Sequence, residues 1–198
     1  MNVTTFVFVI ILSLVGGSSH IVNAQNTVIV SKNQAAKYKE IEWTDLMPKD
    51  DLDALLNPPD SVLGIEDGSE FDNFDSLSEP DMTDEASRRY FAALKSVEVV
   101  DAFDKKAVRV PGFVVPLVSD EKNQVTEFFI VPYFGACLHM PPPPPNQILY
   151  AKLEKGFELE TLYAPFWFEG KLNIETKQHE LGSAAYRLDV DSLYVFEE

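Results

Sequence analysis

From Val108 to Phe196 one pattern recurs: runs of β-branched and aromatic residues, each closed by turn-forming or charged residues. Val108–Leu117, Val125–Val131, Gln147–Leu153, Pro165–Ile174 and Ala185–Phe196 read as strands, with Val97–Val100 as a shorter run before them. Asp104-Lys105-Lys106 and Ser119–Asn123 read as turns. Gly112 and Gly170 fall inside strand patterns, where a missing side chain permits a bend or a close backbone approach. A sheet that bends can close on itself and remove its exposed edges. The expected fold is mainly β with a helical amino-terminal strap: a small closed antiparallel β-barrel, OB-like, with an open antiparallel sandwich as the alternative. Phe166, Trp167 and Phe168 form an aromatic strand in which alternation would bury some rings and expose others, with a core role expected over a sugar platform. Such a fold alone does not decide function.

The chain has 198 residues with 32 acidic and 16 basic side chains, a net charge of −16. The imbalance is local: Glu40 to Ser87 holds sixteen Asp or Glu and one basic residue, Lys49. A nucleic-acid partner is not expected, because such binding needs a positive surface that gains from counterion release. Attachment to a membrane through a basic patch is disfavoured for the same reason. Within the acidic half, Ile41–Pro48 carries Trp43, Leu46 and Met47, which can pack on something. Asp50–Leu56 predicts one or two helical turns ended by Asn57-Pro58-Pro59, and Ser61–Pro80 reads as an irregular tether. Asp67–Asp75 lacks the alternation of an EF-hand calcium loop. Thr83 is placed to cap a helix from about Asp84 to Lys95, with Tyr90, Phe91 and Leu94 on one packing face. The whole segment reads as a solvated strap over the main domain.

Phe6–Val15 is an apolar run broken only by Ser13, followed by small residues and Val22-Asn23-Ala24. This resembles a secretory signal peptide cleaved after Ala24, although no Lys or Arg precedes the apolar core. The run is shorter than the roughly 20 residues that span a bilayer, so stable membrane insertion is not expected. The organisation is then a signal peptide at 1–24, an acidic strap at 25–95 and a β-barrel domain at 96–198. The protein would be periplasmic or secreted. Cys137 is the sole cysteine, which excludes an internal disulfide and would place a lone thiol in an oxidising compartment.

The densest motif is Pro132-Tyr133-Phe134-Gly135-Ala136-Cys137-Leu138-His139-Met140, followed by Pro141 to Pro145, Asn146 and Gln147. In extended backbone Cys137 and His139 project to the same side, and the prolines stiffen the segment that follows. Four readings are open. The pair could ligate zinc or copper, with His179 as a third donor and Glu180, Asp189, Asp191 or Met140 completing the shell. Cys137 could instead be a buried small apolar residue, with His139 bonded to carbonyls that the prolines leave free. A thiol enzyme would make Cys137 the nucleophile and His139 its base, without a second cysteine to resolve a disulfide. Finally, Tyr133, Phe134, Pro141, Pro142, Pro143, Asn146 and Gln147 could form a rigid ridge that a partner protein grips. No P-loop, nucleophile elbow, dinucleotide fingerprint or zinc-protease helix occurs.

The signature G-A-C-x-H-x-P-P-P-P-P-N-Q resembles that of an uncharacterised bacterial family of exported proteins, a domain of unknown function. Gly112–Leu117 and Ile41–Leu46 also match its habit, and the likeness runs from Tyr38 to Phe196, weakest over Ser61–Pro80. The resemblance implies no established activity. Genes for ABC-type permeases and metal uptake beside some members imply an accessory role in metal handling, with an envelope transporter component as partner. The expected function is thus an exported, non-catalytic binding or accessory protein, linked to transition-metal (zinc) handling or an ABC-type transport system. The alternative is an envelope interaction module using the proline-rich ridge, and the third reading is the Cys–His thiol enzyme.

Overall fold

The computed structural model describes residues 37–63, 84–136 and 143–196. The signal peptide, most of the Ser61–Pro80 tether, Thr83, and Cys137 through Pro142 lie outside the described residues. Among the described residues six strands run in chain order: β1 (Lys39–Glu40), β2 (Ala107–Ser119), β3 (Val125–Val131), β4 (Leu149–Phe157), β5 (Phe166–His179) and β6 (Gly182–Val195). The sheet order is β1-β2-β3-β4-β6-β5, and β2 also pairs with β5, so β2 to β6 close into a five-stranded barrel. Every pairing inside the barrel is antiparallel except β4 with β6, which is parallel. That order, with its single parallel pair, is the OB arrangement.

Alternation along β2 explains how the barrel fills. Val108, Val110 and Val114 point inward to Phe128, Ile130, Leu149, Phe168, Leu172, Tyr186 and Leu188. The Phe128 ring meets Phe157 edge-on at 5.3 Å and Phe168 at 6.1 Å. Strand β2 changes partner at Gly112, pairing with β5 up to that residue and with β3 beyond it. A Cβ there would lie 2.8 Å from Ile130 Cγ2 and 2.9 Å from the Val131 carbonyl, so the corner needs glycine. Phe166 and Phe168 serve the core, but Trp167 faces outward. It stacks on Phe196 at 5.1 Å and lies under the Arg109 guanidinium at 3.8 Å.

Described residues of the strap enter the same core, so the strap is more than a solvated cover. Ile41 and Leu46 are buried among barrel side chains, β1 runs parallel to β2, and Trp43 Nε1 donates to the Pro111 carbonyl at 2.7 Å. The acidic composition hid this, because a few apolar side chains anchor a chain whose remaining residues face water. Among the described residues the helices that follow are α1 (Lys49–Leu56), α2 (Asp60–Leu63) and α3 (Glu85–Ala93). Asp84 is the cap of α3; its carboxylate accepts from the Ser87 amide at 2.8 Å and the Ser87 hydroxyl at 2.6 Å. These bonds hold the Asp84 carboxyl below the usual range. Tyr90 and Phe91 are buried, and Arg89 reaches Asp53 of α1 at 3.1 Å.

Val97–Val100 is not a strand. It finds no strand partner among the described residues, and the Val100 N–H donates to the Tyr186 hydroxyl at 2.7 Å. The run is a pinned linker whose β-branched residues suit an extended backbone without requiring a sheet.

Candidate functional site

In OB domains that bind ligands, the outer face of the second and third barrel strands is the usual platform. Here those strands are β3 and β4, which turn Glu127, Phe129, Val131, Tyr150 and Lys152 outward. The chain's own side chains fill this face. Glu127 accepts from the Tyr150 hydroxyl and from Lys152 Nζ, each at 2.8 Å. The β5–β6 hairpin folds across it: Lys177 Nζ sits 4.9 Å over the Tyr150 ring and His179 meets Phe129 edge-on at 6.1 Å. A register shift between Ile174 and Lys177 bends the hairpin toward the face. Phe129, Val131, Ala136, Ile148, Tyr150 and Ala184 thereby form a second apolar cluster outside the barrel.

The polar part of this cover sets a pH dependence. The Lys152 hydrogen bond, then that of Tyr150, holds the Glu127 carboxyl below its usual range. Burial, then the bond to Glu127, pushes Tyr150 up to about 12. The lowered Glu127 stabilises the fold above the ordinary carboxylate pKa, and that contribution is lost as pH falls through the folded value. The raised Tyr150 contributes below the ordinary phenol value of about 10, and its contribution is lost as pH rises through about 12. Glu127→Gln should therefore flatten part of the acid limb of stability. Urea midpoints measured from about pH 3 to pH 7 on both proteins check this; parallel curves would contradict it.

The β3–β4 connection lies beside that covered face. It starts with a turn through Tyr133–Ala136, where Gly135 takes φ 75° and the Ala136 N–H donates to the Tyr133 carbonyl at 3.3 Å. Phe134 stands between Phe113, 6.3 Å away edge-on, and Tyr163, 4.5 Å away. Four large side chains in this turn and the β4–β5 loop keep much of their surface in solvent: Tyr133 at 44%, Phe134 at 40%, Leu162 at 45% and Tyr163 at 73%.

The other end of the connection behaves differently. Pro143, Asn146 and Gln147, expected on an exposed ridge, are buried. Asn146 Nδ2 donates to Asp51 Oδ2 at 3.2 Å and to the Glu98 carbonyl at 3.1 Å, and Gln147 Nε2 donates to the Trp43 carbonyl at 2.6 Å. Proline offers no N–H, so side-chain amides make the bonds that tie this segment to the strap. Among the described members of the expected ridge, the exposed ones are Tyr133 and Phe134.

Cys137 and His139 lie outside the described residues, as do Pro141 and Pro142. His179, expected in a polar turn, is the exposed last residue of β5, and its Nδ1 accepts from the Leu181 N–H at 3.2 Å. Two of the carboxylates considered as further donors, Asp189 and Asp191, are engaged elsewhere. Asp189 binds Arg187 and Asn173, and Asp191 accepts from the Tyr38 hydroxyl at 2.7 Å. Among the described residues no three His, Cys, Asp or Glu side chains gather as a metal site. The reading of the sequence missed Leu162 and Tyr163. The available signal was an apolar pair inside a loop flanked by Glu160 and Pro165.

A closed OB-type barrel whose usual platform is covered, with an aromatic turn beside it, defines a small β-barrel domain with an integral amino-terminal strap. The model of the DUF3299 family, proteins of unknown function, matches residues 43–195, and the chain belongs to that family. It is 36% identical to a DUF3299 family protein from Pseudomonas aeruginosa PAO1 whose crystal structure was solved at 2.45 Å. That match covers 81% of this chain and 97% of the other, with a TM-score of 0.59. A small single-stranded DNA-binding protein from Streptomyces coelicolor matches at 13% identity and a TM-score of 0.28, over 47% of this chain and 95% of that one. At that distance it bears on neither fold nor function here. No curated protein matches the chain. Among the described residues no helix is long and apolar enough to cross a membrane.

Proposed function

We propose that this chain is an exported, non-catalytic binding module that docks a partner protein through the aromatic turn at Tyr133, Phe134, Leu162 and Tyr163. The observation that carries the reading is the Phe134–Tyr163 ring pair, 4.5 Å apart with both rings substantially exposed. Neighbouring exposed aromatic and aliphatic groups are what protein interfaces cover, and aromatic side chains dominate binding energy at such sites. The filled β3–β4 face supports the assignment, since the chain's own side chains already occupy the usual platform. In the sequence the turn is followed by Cys137-x-His139.

A photoreactive residue at Leu162 gives the test, since it marks what the turn touches in intact cells. Phe134→Ala with Tyr163→Ala should reduce binding of the captured partner at least about tenfold, as expected for hot-spot aromatics, while Cys137→Ser leaves it unchanged. Equal binding by all three proteins would remove the proposal. The zinc or copper reading, with its accessory role beside an ABC-type transporter, makes the opposite forecast. It requires about one equivalent of metal in the purified protein, lost in Cys137→Ser with His139→Ala.

A further inference from the structure

The aromatic turn has a ring face to spare. Tyr163 lies against Phe134 on one side, with 4.5 Å between centroids, yet 73% of its surface is in solvent. Its far face is therefore open. The segment that carries it is fixed locally. The Tyr163 N–H donates to Thr161 Oγ1 at 3.2 Å, and upstream Phe157 is buried while Leu159 packs on the core. Alternation about those two anchors sends Glu158 and Glu160 into solvent. Glu160 is three residues from Tyr163, so their Cα atoms are at most roughly 11 Å apart.

Charge around the turn has one sign. Gly112–Ser119, Val125–Ala136 and Gly156–Phe166, which supply its rings, hold Glu127, Glu158 and Glu160 and no Lys or Arg. Lys152 neutralises Glu127 at 2.8 Å. Among the described residues Glu158 and Glu160 make no ion pair. An aromatic ring carries negative potential over its face, and two unpaired carboxylates in the same loop add to it. A cation satisfies both. Arginine suits the pair of features best, because its planar guanidinium stacks on a ring while its N–H fork meets a carboxylate. An acidic segment would be repelled here, and a purely aliphatic one would gain nothing from the carboxylates.

We propose that the partner segment this turn receives is arginine-bearing, its guanidinium stacked on Tyr163 and paired with Glu158 or Glu160. The inference rests on the docking role given above and names the chemistry of the partner. The probe is a peptide of alternating arginine and glycine, titrated into the purified chain while backbone amide chemical shifts are followed. Shifts should centre on Thr161–Ala164 and Tyr133–Phe134. Tyr163→Leu keeps an apolar side chain without a π face and should weaken binding at least about threefold, as should Glu158→Gln with Glu160→Gln. Shifts confined to the acidic Asp50–Asp60 segment, or wild-type affinity in either variant, overturn the proposal. The partner crosslinked at Leu162 separates the two readings. If Phe134→Ala with Tyr163→Ala releases it while Tyr163→Leu and the glutamine pair both retain it, docking stands and the cationic assignment falls.

Discussion

Gly170→Ala is expected to cost about 3 kcal/mol of stability, because an added methyl would overlap backbone and not a movable side chain. A Cβ at this position meets the Asp189 carbonyl oxygen and lies 2.9 Å from the Asp189 carbonyl carbon and 3.1 Å from Val190 Cα. Gly170 pairs with Val190 at the point where the β5–β6 register shifts around Asp191. Strand β6 cannot withdraw, since Leu188 and Leu193 on either side are buried in the core. The substitution must therefore separate the longest strand pair of the barrel or distort its bulge. Urea denaturation checks this: the midpoint should fall sharply with the slope unchanged, and a wild-type midpoint would show that β6 can yield.

Tyr186→Phe should cost about 2–4 kcal/mol, and the loss should appear in the strap before it appears in the barrel. The Tyr186 side chain is fully buried, and its hydroxyl serves two segments distant in sequence. It donates to the Leu46 carbonyl at 2.9 Å and accepts from the Val100 N–H at 2.7 Å. Phenylalanine preserves the ring packing and leaves the buried Leu46 carbonyl and the partly buried Val100 N–H without their partner. The unmet desolvation of those two groups is the source of the loss, which exceeds the net worth of an ordinary hydrogen bond. Burial also pushes the Tyr186 hydroxyl above its usual pKa, so it remains a neutral donor and acceptor across the physiological range. Amide exchange at Val100 should accelerate while the β2–β3 ladder holds. Unchanged protection at Val100 would mean that the Tyr186 hydroxyl does not pin this linker.

Both substitutions bear on how much of this architecture was legible beforehand. Val125–Val131 forms the strand read from its composition, and Asp50–Leu56 lies within α1, because β-branched and aromatic content and acidic residues in a helix's first turn are local signals. Val97–Val100 shows the limit of that signal: the same residue types make an extended linker when no strand edge lies opposite. The site was harder still. Tyr133 and Phe134 were readable as exposed apolar residues beside a proline run, but their companions Leu162 and Tyr163 come from another loop. Only the fold of β4 and β5 brings those residues to Phe134. Asn146 and Gln147 share the proline motif, yet their amides point inward to Asp51, Glu98 and Trp43.

By itself the sequence determined the barrel's material: where the strands lie, which faces carry apolar residues, where glycine must bend or abut backbone, and that the acidic charge sits in one segment. Each of these is settled by neighbours a few residues away. The tertiary structure decided the pairing of β4 with β6, the entry of the strap into the core, the covering of the β3–β4 face and the gathering of the aromatic turn. Those outcomes depend on contacts between residues far apart in the chain, and backbone hydrogen bonds and close packing select among partners that local pattern cannot distinguish.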